Sequence, residues 1–263
     1  MPELPEVETI RKGLLPLVKR KTIRKVVVID KRVIKDIAPK EFIAEITGEK
    51  IADIERRAKY LLFKFKSGKY MVVHLGMTGR LIFTKDKYVK VEFKFSGNKS
   101  FYYSDMRLFG KIRFYDSYPN LDLGYEPLSK EFTFNVLKDI LNKCKGIIKS
   151  VLLDQKLVAG LGNIYVLESL FYAGINPQRR ANSLKDNEIK KLYFEIKNVL
   201  KKALNSRGTS FSSYVDAKGK KGSFQQKLSV YGKKDLPCPK CKTPIKRINA
   251  GNRGTYFCPN CQK

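Results

Sequence analysis

A chain of 263 residues with 43% hydrophobic content is long enough to bury a sizeable core and to divide into two domains. Its 54 Lys and Arg against 25 Asp and Glu leave a net charge of +29 and a pI near 9.9, which points to a polyanionic partner, nucleic acid before an anionic membrane surface. No apolar run approaches the roughly 18 residues of a spanning helix and no signal-peptide core opens the chain, so a cytoplasmic protein is expected, while a single histidine excludes hydrolysis by a Ser-His-Asp or histidine-rich metal site.

Residues 3–18 read as a helix, because Leu4, Val7, Ile10, Leu14 and Val18 recur at three- and four-residue spacing with Pro5 in the first turn. From Thr22 to Asp116 the pattern changes to short β-rich runs: 26–29, 51–54, 61–65, 71–73, 81–83 and the alternating 89–95. Gly48, Ser67-Gly68, Gly79 and Ser96-Gly97-Asn98 separate them, which predicts an antiparallel sandwich or barrel. The strand period ends at Tyr118-Pro119-Asn120 and Gly124-Tyr125-Glu126-Pro127. Helices are expected over 134–143, 147–153, 163–172 and 187–205, the last opened by a capping box at Ser183-Leu184-Lys185-Asp186 and stopped by Arg207-Gly208. Residues 208–223, rich in Gly, Ser and Lys, carry no apolar period and read as a mobile loop.

The opening Met1-Pro2-Glu3 carries potential chemistry. If Met1 is trimmed, Pro2 becomes a secondary amine that titrates at about 7.7 to 8.0, so an appreciable fraction is free to attack an electrophilic carbon, with Glu3 beside it as a proton shuttle. By itself the stretch leaves open a plainer role, Pro2 as a trimming signal and Pro5 as a helix starter. Cys238-Pro239-Lys240-Cys241 and Cys258-Pro259-Asn260-Cys261 have the spacing of a four-thiolate zinc site, closed to water and so structural; a redox pair is the alternative. Cys144 reads as an ordinary core thiol at a helix end. Gly160-Leu161-Gly162-Asn163 lacks the third glycine and preceding strand of a dinucleotide fingerprint, and instead places backbone amides at a helix start, where they can hold a phosphate.

Six stretches, in order along the whole chain, carry a resemblance: Pro2-Glu3-Leu4-Pro5-Glu6-Val7-Glu8-Thr9, Arg56-Arg57-Ala58-Lys59-Tyr60-Leu61-Leu62, His74-Leu75-Gly76-Met77-Thr78-Gly79, Asp105-Met106-Arg107-Leu108-Phe109-Gly110, Gly160-Leu161-Gly162-Asn163-Ile164-Tyr165 and the four-cysteine C-terminus. Together they resemble the bacterial formamidopyrimidine-DNA glycosylases, which excise oxidised purines and nick the DNA. The resemblance implies an α+β fold: an antiparallel β-sandwich carrying the N-terminal helix over 1–118, a linker over 119–132, a helix-two-turn-helix domain over 133–228 and a β-hairpin zinc finger over 229–263, with duplex DNA in a basic cleft. It implies Pro2 as nucleophile, Glu3 as acid, and Lys59 and Arg253 as participants in the elimination steps. Met77, Arg107 and Phe109 would fill the gap left by an extruded base, and His74, Tyr88, Lys145, Lys149 and Asn163 would contact DNA. One structural zinc on Cys238, Cys241, Cys258 and Cys261 is the only cofactor expected, and the partner is double-stranded DNA bearing an oxidised purine or abasic site, bound by a monomer in the bacterial cytoplasm near the nucleoid. Met106, Leu108 and Tyr88 depart from the family pattern. Two rival readings are an endonuclease VIII type acting on oxidised pyrimidines and a non-catalytic zinc-finger DNA-binding protein.

Overall fold

The computed structural model describes residues 2–97, 99–211, 214–215 and 219–263. The expected trimming of Met1, the Asn98 end of the 96–98 turn and parts of loop 208–223 lie outside the described residues. The chain forms two compact units, one of residues 1–121 with 206–223, the other of residues 122–205 with 224–263.

The first unit begins with α1 (Leu4–Val18), whose Leu4, Val7, Ile10, Leu14 and Val18 are all buried. Glu3 is its N-cap and forms a capping box with Glu6, each side chain accepting from the other's backbone amide. Two four-stranded antiparallel sheets follow. The first has the order β1 (Ile23–Val28), β6 (Val89–Phe95), β7 (Ser100–Ser104), β5 (Arg80–Ile82); the second runs β2 (Ile51–Arg57), β3 (Tyr60–Phe65), β4 (Tyr70–His74), β8 (Lys111–Tyr115). The alternation in β6 is a half-buried strand: Val89, Val91, Phe93 and Phe95 turn inward and the residues between them are partly exposed. Phe101 ties the core together, with ring centroids 4.5 Å from Phe93, 5.4 Å from Phe95 and 6.0 Å from Phe63 of the other sheet. Helix α2 (Pro39–Ile46) is not visible in the apolar period, because eight residues with only Phe42 and Ile46 buried scarcely show one; Pro39 in its first turn is the remaining signal. Strands β7 and β8 are also not distinct in the sequence, the second because its burial is irregular.

In the second unit, α3 (Phe134–Lys143) is capped by Thr133 Oγ1, which accepts from Val136 N at 3.3 Å. Then come α4 (Ile148–Leu153), α5 (Asn163–Ala173), α6 (Asp186–Asn205) and the hairpin β9 (Lys246–Ala250) and β10 (Arg253–Phe257). Helix α5 is apolar nearly all round, as a central helix must be, and ends on Gly174 in the left-handed region at φ 78. Its buried Glu168 accepts from the amides of Ser229, Val230 and Tyr231 at 2.8–2.9 Å, fixing the chain that leads into the zinc finger. The expected capping box of α6 is displaced: Ser183 Oγ donates back to Arg180 O, and it is Glu188 that accepts from Lys185 N at 2.8 Å. Glu188 three residues after Lys185 supplies the longer side chain that Asp186 lacks. Cys144 caps α3 and packs against this unit's core half-buried.

Candidate functional site

Pro2 and Glu3 are buried at the start of α1, Glu3 with 3% of its surface exposed. The carboxylate of Glu6 holds this end in place: one oxygen accepts from Glu3 N at 2.8 Å, the other from Thr209 N at 2.7 Å. The described part of 208–223 is therefore anchored, with Tyr214 buried and its hydroxyl donating to Arg207 O at 3.1 Å. One turn on, Glu8 binds Arg11 at 2.7 Å and Arg56 of β2 at 3.1 Å. Burial raises the affinity of Glu8 for its proton, but the hydrogen bonds and charges of Arg11 and Arg56 outweigh it and hold the carboxyl below its ordinary range. Arg56 also donates to Ala58 O at 3.1 Å, so the turn carrying Lys59 is tied to α1. Ala58 takes the left-handed conformation there, φ 51, and Lys59 is only 5% exposed.

Across β3 and β4, His74 pairs with Tyr60, their rings 4.8 Å apart. Burial, with the charges of Lys59, Lys111 and Arg113, pushes the imidazole down to about 4. Its Nδ1 accepts from Gly76 N at 3.3 Å, which puts the proton of the neutral ring on Nε2 as a donor in a cluster of cations. That arrangement suits an anionic oxygen such as a phosphate.

The three residues expected to fill a gap in the stack stand on two loops brought side by side. Met77 is 41% exposed on the loop after β4; Arg107 and Phe109 (50% exposed) follow β7, with the guanidinium carbon 4.7 Å from the Phe109 ring centroid. Backbone lies directly on backbone here: a Cβ on Gly76, φ 59, would stand 2.5 Å from the Phe109 carbonyl carbon. The departing residues fall on the same loop, Met106 53% exposed and Leu108 at φ 59, partly buried against the core. Tyr88 lies beside it, its carbonyl accepting from Asp105 N at 3.0 Å.

In the second unit the structure brings Lys149, Asn163 and Arg253 to one place. Lys149 is 1% exposed, and its ammonium donates to Thr255 Oγ1 at 2.7 Å, Ala250 O at 3.0 Å and Arg253 O at 3.3 Å. Burial and then the charge of Arg253 push it down to about 8. This lysine braces the hairpin from within and does not present its charge to solvent. Asn163, in the first turn of α5, donates from Nδ2 to Gly254 O at 2.9 Å, and its Oδ1 is buried without a hydrogen-bond partner. Arg253 follows the Gly251-Asn252 turn, both at positive φ, and is exposed, as is Lys145 before α4.

The four cysteine sulfurs lie within 4.8 Å of one another, Cys241 to Cys258 at 3.4 Å and Cys238 to Cys261 at 3.9 Å. Thiolates around a tetrahedral zinc with bonds of about 2.3 Å stand about 3.8 Å apart, so the sulfurs fit that ion. With all four positions filled by sulfur, the zinc is structural. Leu167, Phe171, Val230 and Ile245 pack around Cys238 and Cys258, and Gln262 joins Cys258 N to Ile175 O.

Some groups that build these sites do not stand out in the sequence. Glu6 could have been found from its place three residues after Glu3. Thr78 and Asp105 lie inside motifs quoted above, but their pairing, like the approach of Lys111 to His74, follows from sheet register.

Three family models match consecutive stretches: the N-terminal domain of formamidopyrimidine-DNA glycosylase over residues 1–112, its H2TH domain over 123–215, and the zinc finger found in FPG and IleRS over 235–263. Formamidopyrimidine-DNA glycosylases of Shouchella clausii and Bacillus subtilis are each 45% identical over 274 aligned positions, covering 100% of this chain and 99% of theirs. The crystal structure of the MutM (FPG) protein from Thermus thermophilus superposes with a TM-score of 0.93 at 39% identity, covering 99% of this chain and 98% of that one. A Lactococcus lactis FPG mutant in complex with DNA containing Fapy-dG matches with a TM-score of 0.91 at 34% identity over the full length of both. With its α+β fold, zinc-finger cysteines and full-length likeness to these proteins, the chain belongs to the formamidopyrimidine-DNA glycosylase family.

Proposed function

We propose that this protein excises oxidised purines, 8-oxoguanine and formamidopyrimidines, from duplex DNA and then nicks the strand, with Pro2 as nucleophile. The observation that carries the reading is the buried Pro2-Glu3 pair at the head of α1, fixed by Glu6, on a helix that Arg56 ties to the Lys59 turn. The Pro2 nitrogen attacks C1′ of the damaged nucleotide while the glycosidic bond breaks and the base leaves with its electron pair. The adduct nitrogen gives up its proton, Glu3 protonates the sugar ring oxygen, and the nitrogen lone pair opens the ring, leaving an iminium that joins Pro2 to C1′. The iminium acidifies the C2′ hydrogen; its loss expels the 3′ phosphate, and a second elimination expels the 5′ phosphate. Lys59 and Arg253 assist these proton movements. His74 donates to a phosphate through Nε2, and Tyr88, Lys145 and Asn163 support the backbone, while Lys149 acts by holding the hairpin. Zinc, when bound, supplies a structural clamp for that hairpin. Met77, Arg107 and Phe109 occupy the space of the extruded base and offset the few kcal/mol that unstacking costs. The protein works as a monomer in the bacterial cytoplasm, on the DNA of the nucleoid.

Glu3→Gln tests the assignment. Losing the acid should cut 8-oxoguanine excision by on the order of 10² to 10⁴-fold. Cleavage of a preformed abasic site should fall much less, since its sugar opens to an aldehyde unaided and Pro2 condenses with it directly. Equal losses on both substrates would assign Glu3 to positioning Pro2 alone.

A further inference from the structure

The two loops that carry Met77, Arg107 and Phe109 are fastened to each other by one buried carboxylate. Asp105 is fully buried and accepts hydrogen bonds from Thr78 Oγ1, from Gly110 N at 2.8 Å, from Arg107 N at 3.2 Å and from the Tyr103 hydroxyl at 3.2 Å. Thr78 Oγ1 in turn accepts from Arg107 N at 3.1 Å, so hydroxyl, carboxylate and amide close a ring across the two loops. A buried carboxylate is costly unless its lone pairs are met, and here Asp105 meets donors on both of its oxygens. Apart from Tyr103, every donor belongs to the segments bearing the exposed side chains. Burial first, and then the charge and hydrogen bond of Asp105, keep the Tyr103 hydroxyl protonated and able to donate. Only glycine fits at position 110, since a Cβ there would overlap the Tyr103 hydroxyl.

We propose that Asp105, acting with Thr78, is a positioning residue for base extrusion. It sets the spacing of Met77 against the Arg107–Phe109 pair, and through that spacing controls how readily a paired lesion leaves the stack. The inference rests on the reading of Met77, Arg107 and Phe109 as the groups that fill the gap. Displacing a working group by about 1 Å can cost about 10²-fold in rate, and loops joined by a ring of hydrogen bonds are a place where such a displacement can arise.

The test compares Thr78→Val, Thr78→Ser and Asp105→Asn with Met77→Ala and Phe109→Ala, all in the full-length zinc-loaded protein. Two rates are read: release of 8-oxoguanine from a paired duplex, and nicking of a duplex with a preformed abasic site. A 2-aminopurine next to the lesion reports unstacking in the same samples. Thr78→Val and Asp105→Asn should lower excision about 10- to 100-fold and slow the fluorescence rise equally, with abasic nicking within about 3-fold of wild type. Thr78→Ser keeps the hydroxyl and should restore excision. If Asp105→Asn does not fold, the Thr78 pair carries the comparison alone. Equal loss on both substrates, or full excision by Thr78→Val, overturns the inference. If Met77→Ala and Phe109→Ala also spare extrusion, the gap-filling reading fails; if they impair it and the Thr78 and Asp105 variants do not, only the positioning role fails.

Discussion

His74 is the chain's only histidine, so a single imidazole resonance reports its charge without ambiguity. In the folded protein, burial and the neighbouring Lys59, Lys111 and Arg113 hold its pKa at about 4, below the 6.5 of a free imidazole. A depressed value means that folding favours the neutral ring. Its contribution to stability is therefore fully present above pH 6.5 and is lost as pH falls through about 4, because the unfolded chain takes up the proton first. Proton NMR of the free protein should show the His74 resonance unmoved between pH 7 and about 5. Binding an abasic-site duplex should raise the midpoint, since a phosphate beside Nε2 stabilises the imidazolium. A midpoint near 6.5 without DNA would mean that the cations and burial do not act on His74 as the packing indicates.

At the scale of elements, what the sequence discloses depends on how local its cause is. The apolar spacing of α1, the all-round apolar face of α5 and the strict alternation of β6 arise from each segment's own environment and can be read from it. Helix α2 is too short to show a period, and α6 takes its cap from Glu188, not from Asp186. Lys149 is singled out in the sequence only by resemblance, as a DNA-contacting lysine; its part as a brace is not legible, because its acceptors lie about a hundred residues further along the chain, on the hairpin. The zinc site was fully legible, since CxxC spacing is itself the geometric requirement. For this hairpin the expected behaviour follows from its small core: metal binding supplies most of the folding free energy of so small a module. Cys258→Ser should lose stoichiometric zinc, weaken DNA binding and leave the amides of 238–261 exchanging freely, while those of β1 to β8 stay protected by the sandwich core. Hydrogen exchange that leaves the hairpin protected without zinc would show that Leu167, Phe171 and Ile245 hold it unaided.

For the molecule as a whole, a net charge of +29 explains attraction to DNA but not what is done there. The residues proposed to do the chemistry fall in both units: Pro2, Glu3, Lys59 and His74 in the first, Arg253 and the four cysteines in the second. Many of the same side chains would suit a protein that only binds, so the claim that separates enzyme from binder is a covalent bond to the terminal amine. A proline nitrogen tied up in a peptide bond cannot form an iminium, whereas phosphate contacts made by other residues persist without it. Borohydride reduction in the presence of an 8-oxoguanine duplex, followed by mass mapping of the trapped peptide, tests this directly. A single adduct on Pro2 is expected, absent when Met1 is retained or a residue is added before Pro2, with DNA binding preserved. An adduct on Lys59, or no adduct from a protein that still releases the base, would contradict it.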